Sequence, residues 1–182
     1  MRALEQGIAH LARVNATACF IGKHAGWVLI GLMTLVILLQ VFFRYVLGSA
    51  LTWSEEVARF MMIWMTFLIA PVAYRHGINV SLDFFASMIK GRMKEITTIA
   101  LNVLVILFLV IFFFESFGMI ERGLKLKAST LSIKMAYIYL ILPISFFLMF
   151  LIALELIGRS LQKLIDPDRF EPPKAIPSPL LD

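Results

Sequence analysis

Residues 25–43 read AGWVLIGLMTLVILLQVFF, a run of nineteen residues without a charged side chain. As a helix this run is about 28 Å long, close to the ~30 Å hydrocarbon core of a bilayer. Two runs of similar quality follow, at residues 96–114 and 135–154. All three runs are apolar on every side instead of alternating with period two. They therefore predict transmembrane helices and not the strands of a membrane barrel.

A fourth apolar run, residues 60–74, has only fifteen uncharged residues between Arg59 and Arg75. Arginine can extend its guanidinium group from the hydrocarbon edge to the interface, so charged ends are tolerated there. A helix over 54–76 is then long enough to cross. The sequence predicts four transmembrane helices at approximately residues 25–46, 54–76, 95–117 and 135–158.

The composition agrees with a membrane protein and excludes several other classes. The 182 residues are 60% hydrophobic and 16% charged, whereas soluble domains have roughly 45–50% apolar residues. The net charge of +5 would suit a nucleic-acid partner, but the basic residues lie at helix ends, as membrane topology requires. We expect no nucleic-acid partner. Cys19 is the single cysteine, which excludes an internal disulfide.

The distribution of charge predicts the orientation. With a cytoplasmic N-terminus, eleven of the seventeen lysines and arginines face the cytoplasm, so both termini are predicted to lie there. Residues 1–23 place apolar side chains such as Leu4 and Ile8 near one helical face, which predicts an amphipathic helix on the membrane surface. Residues 24–165 form the four-helix transmembrane domain. Residues 166–182 are rich in proline and predict a cytoplasmic tail without regular helix.

Few residues in the predicted spans are suited to chemistry. Ionisable groups are costly in hydrocarbon, and the helix centres carry none, with Glu115 and Glu155 placed at helix ends. Asn102 and Ser145 are predicted to donate hydrogen bonds between helices. The sequence shows no cluster of metal ligands, glycine-rich phosphate loop or nucleophile paired with a base. We therefore expect no enzymatic activity and no cofactor in this chain.

Charged residues concentrate at the outer end of the second predicted helix. Glu55 and Arg59 are four residues apart and Glu56 and Arg59 three apart, so the arginine can pair with an acid on the same face. Arg44, at the end of the first helix, is a second candidate partner. Two interpretations remain open at this stage: an ion-pair clamp joining the first two helices, or a docking surface for another subunit.

Aromatic residues form a stripe along the same helix. They recur at intervals of three, four or seven, as Trp53, Phe60, Trp64, Phe67 and Tyr74. The terminal members suit the interfacial belts of a membrane protein. Trp64 and Phe67 lie deeper, and the sequence leaves open whether they pack against a partner or against lipid.

Residues 44–85 resemble the small membrane subunit, the DctQ-type or Q subunit, of tripartite ATP-independent periplasmic (TRAP) transporters. The resembling pattern is an Arg-Tyr pair ending the first helix, Trp-x-Glu-Glu, an arginine, further aromatic residues and a basic turn leading to an aspartate. The residues that carry it are Arg44, Tyr45, Trp53, Glu55, Glu56, Arg59, Trp64, Phe67, Leu68, Arg75 and Asp83.

The resemblance implies roles for these positions. Subunit contact or structural ion pairing is expected for Arg44, Trp53, Glu55, Glu56, Arg59, Trp64 and Phe67. A cytoplasmic turn is expected to contain Arg75, His76 and Asp83. The chain would be a scaffold in the bacterial inner membrane, surrounded by lipid.

The resemblance also implies partners. A large membrane subunit (M subunit) would carry the sodium and substrate sites, and a soluble periplasmic substrate-binding protein would capture a carboxylate-bearing solute. In the second outer loop, Arg122, Lys125 and Lys127 are expected to help seat that binding protein. Two alternatives remain: a self-contained small transporter of four helices, and a membrane anchor for an unrelated complex.

Overall fold

A computed structural model describes residues 2–49, 51–86 and 92–165, and their side chains over 6–49, 51–77, 93 and 95–165. The helices are α1 (Arg2–Tyr45), α2 (Thr52–Ala86), α3 (Arg92–Lys125), α4 (Ala136–Tyr139) and α5 (Ile141–Ile165). Within the described residues, four stretches are long and apolar enough to cross a membrane: Gln6–Tyr45, Thr52–Gly77, Glu95–Lys125 and Ala136–Ile165. The prediction of an all-α protein with four spans is confirmed.

The first helix is longer than a bilayer is thick. With 44 residues, α1 extends over about 66 Å, roughly twice the hydrocarbon core. Residues 1–23 were predicted as a separate element, but from Arg2 onward they continue into the first span without a break in the helix. The inner part of this segment packs on the bundle, with Asn15 and Cys19 buried. Its position relative to the membrane surface stays a prediction.

The helix α5 is the central element of the bundle. It packs mainly on α3 and also contacts α2 and α1, while α1 packs mainly on α2. Within the described residues α1 and α3 do not touch, so they lie at opposite edges. Both edges expose large apolar side chains, such as Leu35 and Phe42 on α1 and Leu104 and Ile111 on α3. In a membrane such edges face lipid or another protein chain.

Glycines bring α1 and α2 close together. A Cβ atom on Gly22 would lie 2.9 Å from the carbonyl oxygen of Leu68, and one on Gly26 would lie 2.5 Å from Cδ1 of Ile69. Small residues at a helix interface allow the backbones to approach and gain van der Waals contact, the main attraction available between helices in lipid. The α1–α2 pair therefore depends on residues without side chains.

The second helix extends beyond the point where the sequence analysis ended it. Arg75 and His76 were predicted to lie in a cytoplasmic turn, but both are within α2, which runs to Ala86. A fall in hydropathy marks where a helix leaves the hydrocarbon and not where its backbone hydrogen bonding stops. The backbone of Asp83 is also helical, while its side chain and the predicted tail at 166–182 lie outside the described residues.

Candidate functional site

A buried carboxylate joins three helices at the end of the bundle predicted to face the cytoplasm. The side chain of Glu155 on α5 is 1% exposed. Its Oε1 accepts hydrogen bonds from Arg75 of α2 at 3.1 Å and is 2.6 Å from Nη2 of Arg159. Its Oε2 accepts a hydrogen bond from Nδ2 of Asn15 on α1 at 2.7 Å. We call Asn15, Arg75, Glu155 and Arg159 the inner cluster.

Backbone contacts reinforce the inner cluster. Arg75 also donates to the carbonyl oxygen of Ala12 at 3.3 Å, and Nδ2 of Asn15 donates to that of Leu151 at 3.2 Å. A buried charge is tolerated only when paired and hydrogen-bonded, because desolvation costs several kcal/mol per ion. The cluster satisfies that requirement by drawing one partner from each of α1 and α2 and one from α5 itself. It therefore fixes the relative positions of three helices.

The sequence analysis did not identify the inner cluster. It placed Glu155 at the end of a helix, which gave no indication of burial, and it assigned Asn15 to a surface segment. A signal was present on α1: Asn15, Cys19, Gly22 and Gly26 follow at intervals of four, three and four, and all four are buried. A polar residue heading a stripe of small residues is typical of a face that packs on other helices.

At the opposite end, Glu56 holds the loop that follows α3. Its carboxylate oxygens accept hydrogen bonds from the backbone N–H groups of Ser129 and Thr130, both at 2.8 Å. The loop is folded back on itself, since the N–H of Ala128 donates to the carbonyl of Ile133 at 2.8 Å. Glu56 thus links the start of α2 to the loop at residues 126–135. Glu56 and Ser129 are 73 residues apart in the sequence.

The other charges predicted for this end make different contacts. Glu55 and Arg59 pair along the helix at 3.6 Å, with 74% and 63% of their side chains exposed. Arg44 lies beside the ring of Tyr45, with 5.9 Å between its guanidinium carbon and the ring centroid. Within the described residues both of these contacts lie inside a single helix. At this end Glu56 joins α2 to the loop after α3.

Two members of the aromatic stripe of α2, Phe67 and Tyr74, contact other helices of the chain. The ring of Phe67 packs edge-on against Phe146 of α5, with centroids 5.9 Å apart, and its carbonyl oxygen accepts a hydrogen bond from Ser145 at 2.7 Å. The hydroxyl of Tyr74 donates to Oδ1 of Asn102 on α3 at 2.8 Å. Ser145 is an interhelical donor as predicted, whereas Asn102 accepts between helices and donates within its own.

The predicted docking residues lie at the exposed end of α3 and just beyond it. Arg122 and Lys125 lie in the last turn of α3, and Lys127 follows in the loop that Glu56 holds; all three are exposed. Trp53 is 40% exposed at this same end, and Trp64 is half-buried further along α2. Among the described residues, no group of three or more His, Cys, Asp or Glu side chains is placed to hold a metal ion.

Both ends of the bundle fall within a single match to a known family. Residues 33–163 match the family model for tripartite ATP-independent periplasmic transporters, DctQ component. The chain belongs to this family. The matched range contains the Glu56 contact and the Arg75–Glu155–Arg159 part of the inner cluster. As a DctQ component with four apolar spans, the protein is a multi-pass protein of the bacterial inner membrane.

Two relatives show how this DctQ chain compares with longer proteins. It is 28% identical over 122 residues to the isethionate TRAP transporter permease protein DctMQ of Oleidesulfovibrio alaskensis, a match covering 63% of this chain and 19% of that one. It is 31% identical over 83 residues to the sialic acid TRAP transporter permease protein SiaT of Haemophilus influenzae, covering 46% of this chain and 13% of that one. The matches thus span less than a fifth of either relative.

Proposed function

We propose that this chain is the small, non-catalytic membrane subunit of a TRAP transporter, where it stabilises a large membrane subunit and helps to dock a periplasmic substrate-binding protein. The observation that carries the proposal is the family match over residues 33–163, which covers α2 to α4 completely and nearly all of α5. The transported solute is proposed to be an organic acid taken up with sodium.

The lengths of the relatives support a large partner. Each is named as a TRAP transporter permease, and the segment resembling this chain is 19% of one and 13% of the other. Most of each permease therefore lies outside the part that this chain resembles. We assign the solute and sodium sites to an equivalent large subunit, and we expect this chain to work beside it. The relatives' named solutes, isethionate and sialic acid, are organic anions, in agreement with an organic acid here.

The inner cluster supports a fixed, structural role for this chain. Glu155 is paired with two guanidinium groups and an amide. To bind a cation it would have to give up contacts with Arg75 and Arg159, leaving two cationic groups poorly compensated at a buried site. This arrangement favours a scaffold that stays in place while another subunit moves the solute. It weighs against the alternative of a self-contained transporter that uses a membrane carboxylate.

Removal of the chain tests the proposal. A panel of radiolabelled organic acids first identifies the one that the complete system transports. In cells that express only the large subunit and the binding protein, omitting this chain is expected to abolish uptake of that acid. The amount of large subunit in the membrane should also fall. Re-expression of the chain should restore both. Unchanged uptake together with an unchanged amount of large subunit would contradict the proposal.

The exposed basic end provides a test of docking. Replacing Lys125 and Lys127 together by glutamate is expected to raise severalfold the concentration of binding protein needed for half-maximal uptake into proteoliposomes, because a reversed field slows encounter. The difference should shrink as salt is added, since screening weakens exposed charges. Lys23→Glu, an exposed lysine at the other end of the bundle, is the control and should leave this concentration unchanged. If the double variant behaves like Lys23→Glu at low salt, these lysines do not dock the binding protein.

A further inference from the structure

Two lysines lie directly opposite each other in the loop at residues 126–135. Lys127 and Lys134 form an antiparallel bridge, and the backbone hydrogen bonds on either side of it are 2.8 and 3.0 Å long. In a pair of this type the two side chains stand on the same face, with Cβ atoms about 4.5–5.5 Å apart. Both lysines are exposed. We call Lys127 and Lys134 the lysine pair.

The lysine pair is unfavourable by itself. Like charges directly opposite each other destabilise the pairing of two strands, and among the described residues no acidic side chain forms an ion pair with either lysine. Arg122 and Lys125, in the last turn of α3, add to the positive charge at this end. A negative group placed between the two ammonium groups relieves their repulsion. The lysine pair is therefore suited to a carboxylate on another molecule.

The conformation of this loop depends on a residue of another helix. At the base of the loop, a Cβ atom on Gly123 would lie 2.7 Å from the backbone nitrogen of Ala136, so the two ends of the loop are close together. At its tip, the carboxylate of Glu56 accepts the N–H groups of Ser129 and Thr130, both at 2.8 Å. These N–H groups belong to the turn between the two lysines. Glu56 thus fixes the turn that sets the lysine pair side by side.

We propose that Glu56 is a positioning residue for docking of the periplasmic substrate-binding protein: it holds the turn so that the lysine pair receives a carboxylate on the surface of that protein. This inference rests on the proposed function and adds to it the contact and the residue that prepares it. The occupant follows from charge complementarity, since two exposed cations without an acidic partner favour an anionic surface. A loop already held in its docking conformation loses less conformational entropy on binding.

Replacing Glu56 tests the proposal in phosphatidylcholine proteoliposomes that hold this chain and the large subunit. Glu56→Ala is expected to raise severalfold the concentration of binding protein needed for half-maximal uptake, with the maximal rate unchanged, because the lysine pair is no longer held in place. A purely electrostatic effect has the opposite sign, since removing an acid from a basic surface favours an anionic partner. Glu121→Ala, at an exposed position of α3 next to Arg122, removes the same charge without these hydrogen bonds and should not raise this concentration.

Amide hydrogen exchange, followed by mass spectrometry on the purified chain, reports the loop itself. In Glu56→Ala, the N–H groups of Ser129 and Thr130 are expected to exchange severalfold faster than in the unsubstituted chain, with the helix content unchanged. Glu56→Gln keeps one acceptor oxygen and should lie between the two, both in exchange and in half-maximal concentration. Faster exchange without a rise in the half-maximal concentration would overturn the proposal, as would unchanged exchange.

A combined substitution shows whether Glu56 acts through the lysine pair. Lys127→Gln and Lys134→Gln are each expected to raise the half-maximal concentration severalfold. Adding Glu56→Ala to the chain with both lysine substitutions should then change it little, because the groups that Glu56 positions are already absent. Fully additive effects would contradict a positioning role. Uptake by the unsubstituted system that depends neither on this chain nor on the binding protein would instead count against the proposed function, so the two failures are distinct.

Discussion

Replacing Glu155 by alanine is expected to lower the free energy of unfolding of the chain by about 3–5 kcal/mol, the range for removing one partner of a buried ion pair. The carboxylate is 1% exposed and contacts Arg75, Arg159 and Asn15. Its loss removes an acceptor from Arg75, whose side chain is 20% exposed, and from the buried amide of Asn15, while Arg159, 39% exposed, stays in contact with solvent. Unfolding of the purified chain in mixed micelles, followed by circular dichroism as sodium dodecyl sulfate is added, measures the change.

Two further variants separate burial of charge from loss of a side chain. Glu155→Gln keeps the shape and part of the hydrogen bonding, so we expect a smaller loss than for alanine. Glu115→Ala removes an exposed carboxylate on α3 and should change stability by no more than about 0.5 kcal/mol, as is usual for surface substitutions. Equal effects of Glu155→Ala and Glu115→Ala would show that the inner cluster does not hold the helices together.

Gly123→Ala is expected to destabilise the outer end of the bundle by about 1–3 kcal/mol, the usual cost of inserting a methyl group where there is no room. A Cβ atom at Gly123 would lie 2.7 Å from the backbone nitrogen and 2.9 Å from the Cα of Ala136. Backbone atoms cannot move aside as a flexible side chain can, so α3 and α4 must separate. The same unfolding measurement reports the loss.

Gly31→Ala is the matched control, because nothing lies within 4 Å of a Cβ atom at that position on α1. Alanine is a better helix former than glycine by about 0.8–1.0 kcal/mol, so this variant should be as stable as the unsubstituted chain or more so. A loss of stability at Gly31 that equals the loss at Gly123 would show that close approach to α4 is not the reason glycine is required at Gly123.

The four spans could be predicted because hydrocarbon imposes a simple rule on sequence. Each span must hold close to twenty residues with few charges, and the runs at residues 25–43, 96–114 and 135–154 satisfy it directly. The fourth, between Arg59 and Arg75, was recoverable because arginine tolerates the edge of the hydrocarbon. The family resemblance was also accessible, since its residues are contiguous over 44–85.

The inner cluster could not be predicted from the sequence, for a different reason. Asn15 and Glu155 are 140 residues apart, and a sequence pattern contains no distance between segments so far separated. Arg75 was read as marking the end of a helix, although α2 continues to Ala86. The contact from Glu56 to Ser129 and Thr130 was equally inaccessible, because it depends on how a loop folds back. Local patterns identify helices and their faces, whereas tertiary pairing decides which charges become buried.

Affinity purification of the tagged chain from membranes that also contain the large subunit most directly tests the claim that this protein is a scaffold for another permease subunit. The account predicts that the two chains elute together in mild detergent as one particle, with a mass by light scattering that exceeds that of either chain alone. It also predicts that proteoliposomes holding only this chain take up none of a panel of radiolabelled organic acids. Elution of this chain without the large subunit, together with uptake by the chain alone, would contradict it.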